Sequence, residues 1–424
     1  MIRWLSCLGL CLTLTLSLLP DLRAQARLEG GMLTIPLNGP EEQVDPAVAV
    51  EDMATVRTLR PGEPVIMIPE QTLGRFSDYI AGLCSDYGLP GMAFAIVQGD
   101  EVVQQRTLGY ANLKTGTPIT DATRFNIGPA TQAMTSLLAA TYDGERFTYD
   151  KPAQKLWARF RMSDEEVSRR VTIRDLLTMT AGVPDYTDNI LDPAWARPED
   201  VLAVIAQAPV TASPGSRFDI SQVSVAAAGY LIPRADGGDE ALYDGYIDAV
   251  QTRVFDPLGM TDSTFSLSLA RQSGDWARPH EYEDRGRYDP ATSWQPEPNA
   301  IAPAIGMKSS LRDLVKWLIT ELNEGVTPDG VRIANSLAVR ERWQPAQTAD
   351  SRNYGMGWTR RYYRGVEIIG MMGSYDRHSM AIAIYPGYHT GFVALMNTDG
   401  PDVQKLLTEL PLGIAEMLQS QERK

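Results

Sequence analysis

The strand-forming patterns of this chain sit at its two ends, and that placement limits the folds open to it. Near the first end, Leu73, Phe76, Ile80 and Leu83 recur at helical spacing within Gln71–Tyr87. Gly91–Gln98 then reads as a buried strand, and a second strand carrying Val102, Val103 and Leu108 follows the Gly99-Asp100 turn as a hairpin. Strands return only at Val366–Ile369, Met380–Tyr385 and Gly391–Met396, the last two joined by a Pro386-Gly387 turn. Between the two groups, residues 126–349 are mostly helical pattern broken by Pro and Gly. The tail places Leu406, Leu407, Leu410, Ile414, Met417 and Leu418 on one broad apolar face. The pattern predicts an α/β (α+β) chain: one antiparallel sheet built from both chain ends, flanked by helices, with an inserted helical lobe.

The boundaries that follow are a sheet lobe at about 70–125 and 350–424 and a helical lobe at about 126–349, both within a domain at 70–424. Residues 27–69 hold scattered Pro, Gly and acids without a period and read as an extension or linker. Residues 1–26 read as a secretory signal. Arg3 precedes an apolar run from Leu5 to Leu19, and Ala24-Gln25-Ala26 fits the small-x-small cleavage rule. A periplasmic or secreted location is therefore expected, with no stable membrane span after cleavage. Cleavage removes Cys7 and Cys11 and leaves Cys84, so no intramolecular disulfide can form. With 53 Asp+Glu against 39 Lys+Arg, the chain carries a net charge of -14, which argues against nucleic acid as a partner.

A series of strings then appears in a fixed order. Phe125-Asn126-Ile127-Gly128 leads into a helix. Val171-Thr172-Ile173-Arg174-Asp175-Leu176-Leu177-Thr178 and Gly182-Val183-Pro184-Asp185-Tyr186 follow, then Pro214-Gly215-Ser216-Arg217-Phe218. The run from Val254 to Phe265 (VFDPLGMTDSTF), Gly306 with Ser309, Ser310 and Asp313, and Tyr354-Gly355-Met356-Gly357-Trp358 complete the set. In this order they resemble the serine β-lactamase and penicillin-binding protein family, in particular the branch of class C β-lactamases, D-alanyl-D-alanine carboxypeptidases and related esterases. The resemblance covers roughly 70–420 and implies the β-lactamase/transpeptidase-like fold.

It also implies acyl transfer through a serine ester, and here the sequence departs from the pattern. The Ser-x-x-Lys expected after the Phe-x-Ile-Gly string falls on Pro129 and Gln132. Proline carries no nucleophile, and an amide is not a base near neutral pH. Proline is tolerated in a first helical turn, so the helix itself can survive. The Tyr-x-Asn expected after Phe218 falls on Ile220, Ser221 and Gln222, and the His-x-Gly or Lys-Thr-Gly falls on Met371, Met372 and Gly373. The helical signature carries Met179 and Ala181 where His and Ser are common. None of the seven lysines has a serine three residues before it. Lys114-Thr115-Gly116 and Tyr110-Ala111-Asn112 spell two of the motifs, but on an early hairpin, where a plain turn accounts for them.

The sequence thus leads to a pseudoenzyme with no catalytic residue, whose degenerate positions are Pro129, Gln132, Ile220, Gln222 and Met371. Candidate binding residues are Gln132, Ser221, Gln222, Met371, Gly373 and Ser374, with a peptide, a muropeptide or a protein as partner. Met179, Met371, Met372 and Ile220 make either a pliable apolar groove or a filled core. The alternative is a working serine hydrolase with a non-standard nucleophile such as Ser374. Ser374, Asp376 and His378 alternate and would share one face of a strand, a spacing awkward for a proton relay. His378 and His389 flank a hairpin and make a poor zinc site, so no metal and no cofactor is expected. Cys84 reads as a buried structural thiol.

Overall fold

The computed structural model describes residues 56–59, 62–144, 146–186, 197–283, 287–293, 295, 297–348, 351 and 353–422. The expected signal at 1–26 and most of the extension lie outside these residues. The elements that position the site are, in chain order, α1 (Glu70–Asp86), β1 (Gly91–Gln98), β2 (Glu101–Asn112), β3 (Thr117–Pro118), β4 (Arg124–Asn126), α2 (Thr131–Ala140), α3 (Ile173–Leu177) and α4 (Gln222–Leu231). They continue with β5 (His280–Glu283), β6 (Arg287–Pro290), β7 (Lys308–Ser310), α5 (Leu311–Leu322), β8 (Thr359–Tyr363), β9 (Val366–Tyr375), β10 (His378–Tyr385), β11 (Thr390–Met396) and α6 (Pro401–Glu422).

Seven strands form one sheet in the order β3-β2-β1-β11-β10-β9-β8, with every neighbouring pair antiparallel. The two chain ends meet at its centre, where β1 pairs with β11 from Met92 opposite Met396 to Gln98 opposite Thr390. Every residue of β1 is buried. The pleat sends Ala93, Ala95 and Val97 into the core shared with the helical lobe and α5, and Met92, Phe94 and Ile96 into a second core under α1 and α6. A strand covered on both faces reads as a continuous apolar run, which is why Gly91–Gln98 is legible without alternation.

Helix α6 lays Val403, Leu406, Leu407, Leu410, Ile414 and Leu418 on the second face. Burying six such side chains stabilises the fold by about 10 kcal/mol before conformational entropy is counted. The described part of the extension also packs on the domain. Gln98 accepts from Ile68 N at 2.8 Å and donates to Ile66 O at 3.2 Å, and Ile68 is buried. The last residues before α1 are therefore part of the folded unit rather than linker, because a buried side-chain amide at the end of β1 satisfies their backbone.

Two readings of the sequence need correction here. Strand β9 runs to Tyr375, well beyond Ile369, and the chain then reverses through Asp376 and Arg377, at φ 46° and 58°, into β10. This two-residue turn has left-handed backbone at both central positions, as tight hairpins require. Ser374, Asp376 and His378 therefore do not share one strand. His378 and His389 flank β10 alone, at its opposite ends, and are not brought together. The Lys114-Thr115-Gly116 string lies in the turn between β2 and β3. Among the described residues, no helix is long and apolar enough to cross a membrane.

Candidate functional site

Four segments converge where the resemblance places the reaction centre. The first is the turn Gly128–Ala130 that opens α2, which β4 delivers to the third-motif strand β9. Gly128 has φ 47°, and a Cβ there would meet Tyr375 Cβ at 2.8 Å. Pro129 is buried beside β9, and a Cβ at Gly373 would meet Pro129 Cγ at 2.8 Å. The acylation position thus holds a closed ring packed on the third-motif backbone, and only glycine fits opposite it.

One turn further on, Gln132 is fully enclosed and bonded at both ends of its amide. Its Nε2 donates to Gln222 Oε1 at 2.7 Å, and its Oε1 accepts from the Tyr354 hydroxyl at 2.7 Å. The same phenol accepts from Gly357 N at 3.1 Å. Tyr354 is buried, which pushes its pKa well above the ordinary phenol value, so it stays a neutral donor. Gln222 is inaccessible to solvent, and among the described residues its Nε2 has no hydrogen-bond partner. Two donor hydrogens thus remain unmatched in the middle of the site.

The second-motif segment is set by Ser221, which caps α4 by accepting from Ser224 N at 3.3 Å and also hydrogen-bonds Ser224 Oγ at 3.0 Å. Ile220 before it is half-buried against the core. Met179 has φ 57°, an uncommon conformation for a side chain of this size, with its sulfur 3.4 Å from Ser221 N and its carbonyl accepting from Asp219 N at 3.0 Å. The preceding helix α3 has a reciprocal cap: Thr172 Oγ1 accepts from Asp175 N at 3.1 Å and Thr172 N donates to Asp175 Oδ2 at 2.8 Å. Thr172→Ala is expected to lower stability by about 1 kcal/mol. An unchanged urea midpoint would show that the cap does not hold this segment.

On β9, Met371 faces the helical lobe, whereas Met372 faces α6. Pleat parity puts Ser374 on the α6 side as well. Its hydroxyl bonds Ser379 Oγ at 2.7 Å and accepts from Gln404 Nε2 of α6 at 3.2 Å. Ser374 is thus neither a lining residue of the site nor a nucleophile within it. His378 is 2.8 Å from Ala277 O and 3.2 Å from Asn126 Nδ2, with no contact to Ser374 among its hydrogen bonds. The structure brings Gln132 to Gln222 and Pro129 to Gly373, sets Ser221 as the cap next to Gln222, and packs Ile220 and Met371 into the core shared with the helical lobe. Tyr354 is the residue that sequence reasoning missed. Its string reads as framework, and nothing in the spacing says that the phenol reaches across to Gln132.

A family model described as Beta-lactamase matches residues 72–412. The chain belongs to that family. Unguisins hydrolase ungD' of Aspergillus campestris is 26% identical over 76% of this chain and 61% of its own length. Penicillin-binding protein 4 of Amycolatopsis lactamdurans is 26% identical over 77% of this chain and 85% of its own length. Protein flp of Staphylococcus aureus is 25% identical over 76% and 62% respectively. The chain thus spans less than two thirds of ungD' and flp. Among solved structures, the octameric penicillin-binding protein homologue from Pyrococcus abyssi superposes with a TM-score of 0.67 at 22% identity, over 81% of this chain and 77% of that one. The β-lactamase/transpeptidase-like fold is the same, with its large antiparallel sheet flanked by helices.

Among the described residues, no group of three or more His, Cys, Asp or Glu side chains is placed to hold a metal ion. Cys84 is buried, and burial pushes its thiol up to about 12, so it is not a reactive thiolate.

Proposed function

We propose that this chain is an exported, non-acylating member of the family that acts by binding a peptide, a muropeptide or a protein partner at the former reaction centre. The observation that carries the reading is Gln132. A base at this position would have to accept a proton from a neighbouring hydroxyl, and the residue present is an amide bonded to Gln222 and Tyr354, three residues after a proline. The unmatched Nε2 of Gln222 is an unsatisfied donor in an enclosed centre, so the binding reading requires that centre to open and admit a carbonyl or carboxylate oxygen. Export rests on the pattern of residues 1–26.

The second reading is a hydrolase with an unrecognised nucleophile, favoured by the name of the ungD' relative. The facing of Ser374 toward α6 speaks against Ser374 as that nucleophile. The two readings separate on incubation of the mature protein with a fluorescent penicillin and a fluorophosphonate. No covalent labelling is expected from either probe. Stable labelling that maps to one serine, and is lost on its replacement by alanine, would overturn the pseudoenzyme reading. Pro129→Ser with Gln132→Lys is expected to restore slow acylation, limited by the missing second-motif phenol at Ile220 and the missing third-motif donor at Met371.

A further inference from the structure

The segment Trp276–Glu283 crosses three strand ends that lie far apart in sequence. Ala277 N donates to Arg124 O at 2.9 Å, Arg278 N to Ala111 O at 2.7 Å and His280 N to Asn397 O at 2.9 Å. Two buried imidazoles complete these attachments. His378 of β10 lies between Ala277 O at 2.8 Å and Asn126 Nδ2 at 3.2 Å, flanked by the Phe125 and Trp276 rings with centroids 5.9 and 5.1 Å away. His280 lies between Asn397 O at 3.3 Å and Leu113 N at 3.2 Å. In each case one ring nitrogen is placed to donate to a carbonyl and the other lies against an N–H donor, an arrangement that the neutral ring satisfies. We propose that Trp276–Glu283 is an acid-released strap, held across the ends of β2, β4 and β11 by neutral His280 and His378.

Protonation sets a second ring N–H of His280 against Leu113 N–H, and one of His378 against the Asn126 amide nitrogen. Burial holds both histidines down at about 4, outweighing the carbonyls of Ala277 and Asp376 beside His378 and of Asn397 and Arg278 beside His280; His280 lowers His378 further, and the Arg278 cation lowers His280. A depressed basic group stabilises the closed strap fully above its free value of about 6.5, and this is lost as pH falls toward its closed-state value.

The facing acids act the other way. Asp376 accepts from Gln295 N at 3.0 Å and faces Arg377, Arg271, Asp399 and Lys308; burial pushes it up to about 6. A raised acid favours the closed form at low pH and loses that contribution as pH rises through its closed-state value. Asp399 is also raised by burial, facing Arg377 and Glu281. Arg377 pairs with Glu281 of the strap at 2.8 Å. Near pH 5.5 the two imidazoles together take up roughly two protons on opening, Asp376 gives up roughly one and Asp399 a further fraction, so the opening equilibrium should rise by at most about tenfold per pH unit.

Hydrogen exchange of the full chain between pH 7 and pH 5, corrected for intrinsic rates, tests this. The amides of Ala277, Arg278 and His280 are expected to lose up to about tenfold protection per unit below pH 6, while those of β1 and α5 keep theirs. Asp376→Asn, which retains a side chain suited to left-handed backbone, should steepen the dependence toward a hundredfold per unit. His378→Gln keeps a donor for Ala277 O and should flatten it. Strap protection that does not change with pH would overturn the proposal. So would a loss in step with β1, which would mean global acid unfolding, or an Asp376→Asn slope equal to wild type.

Discussion

Replacing Arg342 by methionine is expected to lower the free energy of unfolding by about 3–5 kcal/mol, although the residue lies outside the proposed site. Arg342 and Glu321 form an ion pair with neither side chain exposed to solvent. Glu321 also accepts from Trp317 Nε1 at 2.8 Å, while Arg342 donates to Ala133 O at 3.3 Å and Val339 O at 3.4 Å. The pair ties α5 to the first turn of α2, the helix that carries Gln132. Removing the cation leaves a carboxylate without a counter-charge in a dry core, and that residue of charge is what costs so much. Glu321→Leu combined with Arg342→Met should recover most of the loss, because desolvation of both charges is then avoided. Urea melts of the two single variants and the double variant would decide it. An Arg342→Met loss below about 1 kcal/mol would mean that water reaches the pair.

The second large effect is expected at Gly357. Its φ is 82°, and a Cβ there would lie 2.3 Å from Ala133 N and 2.6 Å from Ala133 Cα. These are backbone atoms of α2, which cannot rotate aside. Gly357→Ala should therefore cost about 2–4 kcal/mol, of which the left-handed conformation alone accounts for about 1–2. Gly237→Ala is the matched control, since Gly237 has φ 83° with nothing within 4 Å of the added carbon. The two variants should differ in urea midpoint, and equal midpoints would show that the contact with α2 is not tight. Gly357→Ala should also lift Tyr354 from Gln132, because Gly357 and Tyr354 lie on the same loop.

Much of this architecture could be read from the sequence because its strongest signals are periodic. The apolar run of β1 and the stripe of α6 each report burial directly, and together they place the sheet at both chain ends. Where the reading failed, the missing information was a conformation without a compositional cue. Asp376-Arg377 turns the chain with left-handed backbone at two residues, and the single Asp is too weak a cue to break the apparent alternation of Ser374, Asp376 and His378. Ile66 and Ile68 looked like linker because the group that holds them, Gln98, is on a different element. The losses at Pro129 and Gln132 were visible because they are absences of specific atoms at known spacing. The bond from Tyr354 to Gln132 was not, since it joins positions about 220 residues apart that only packing brings together.

The pairing of β1 with β11 has a consequence for how the chain is made. Met92 waits for Met396, about 300 residues later, before the centre of the sheet can close. At ordinary synthesis rates that interval is about 15–60 s, during which β1 exposes an edge flanked by apolar side chains. A transcript cut short anywhere before β11 would yield a product lacking the strand at the middle of the sheet, and so a substrate for proteases rather than a smaller working protein.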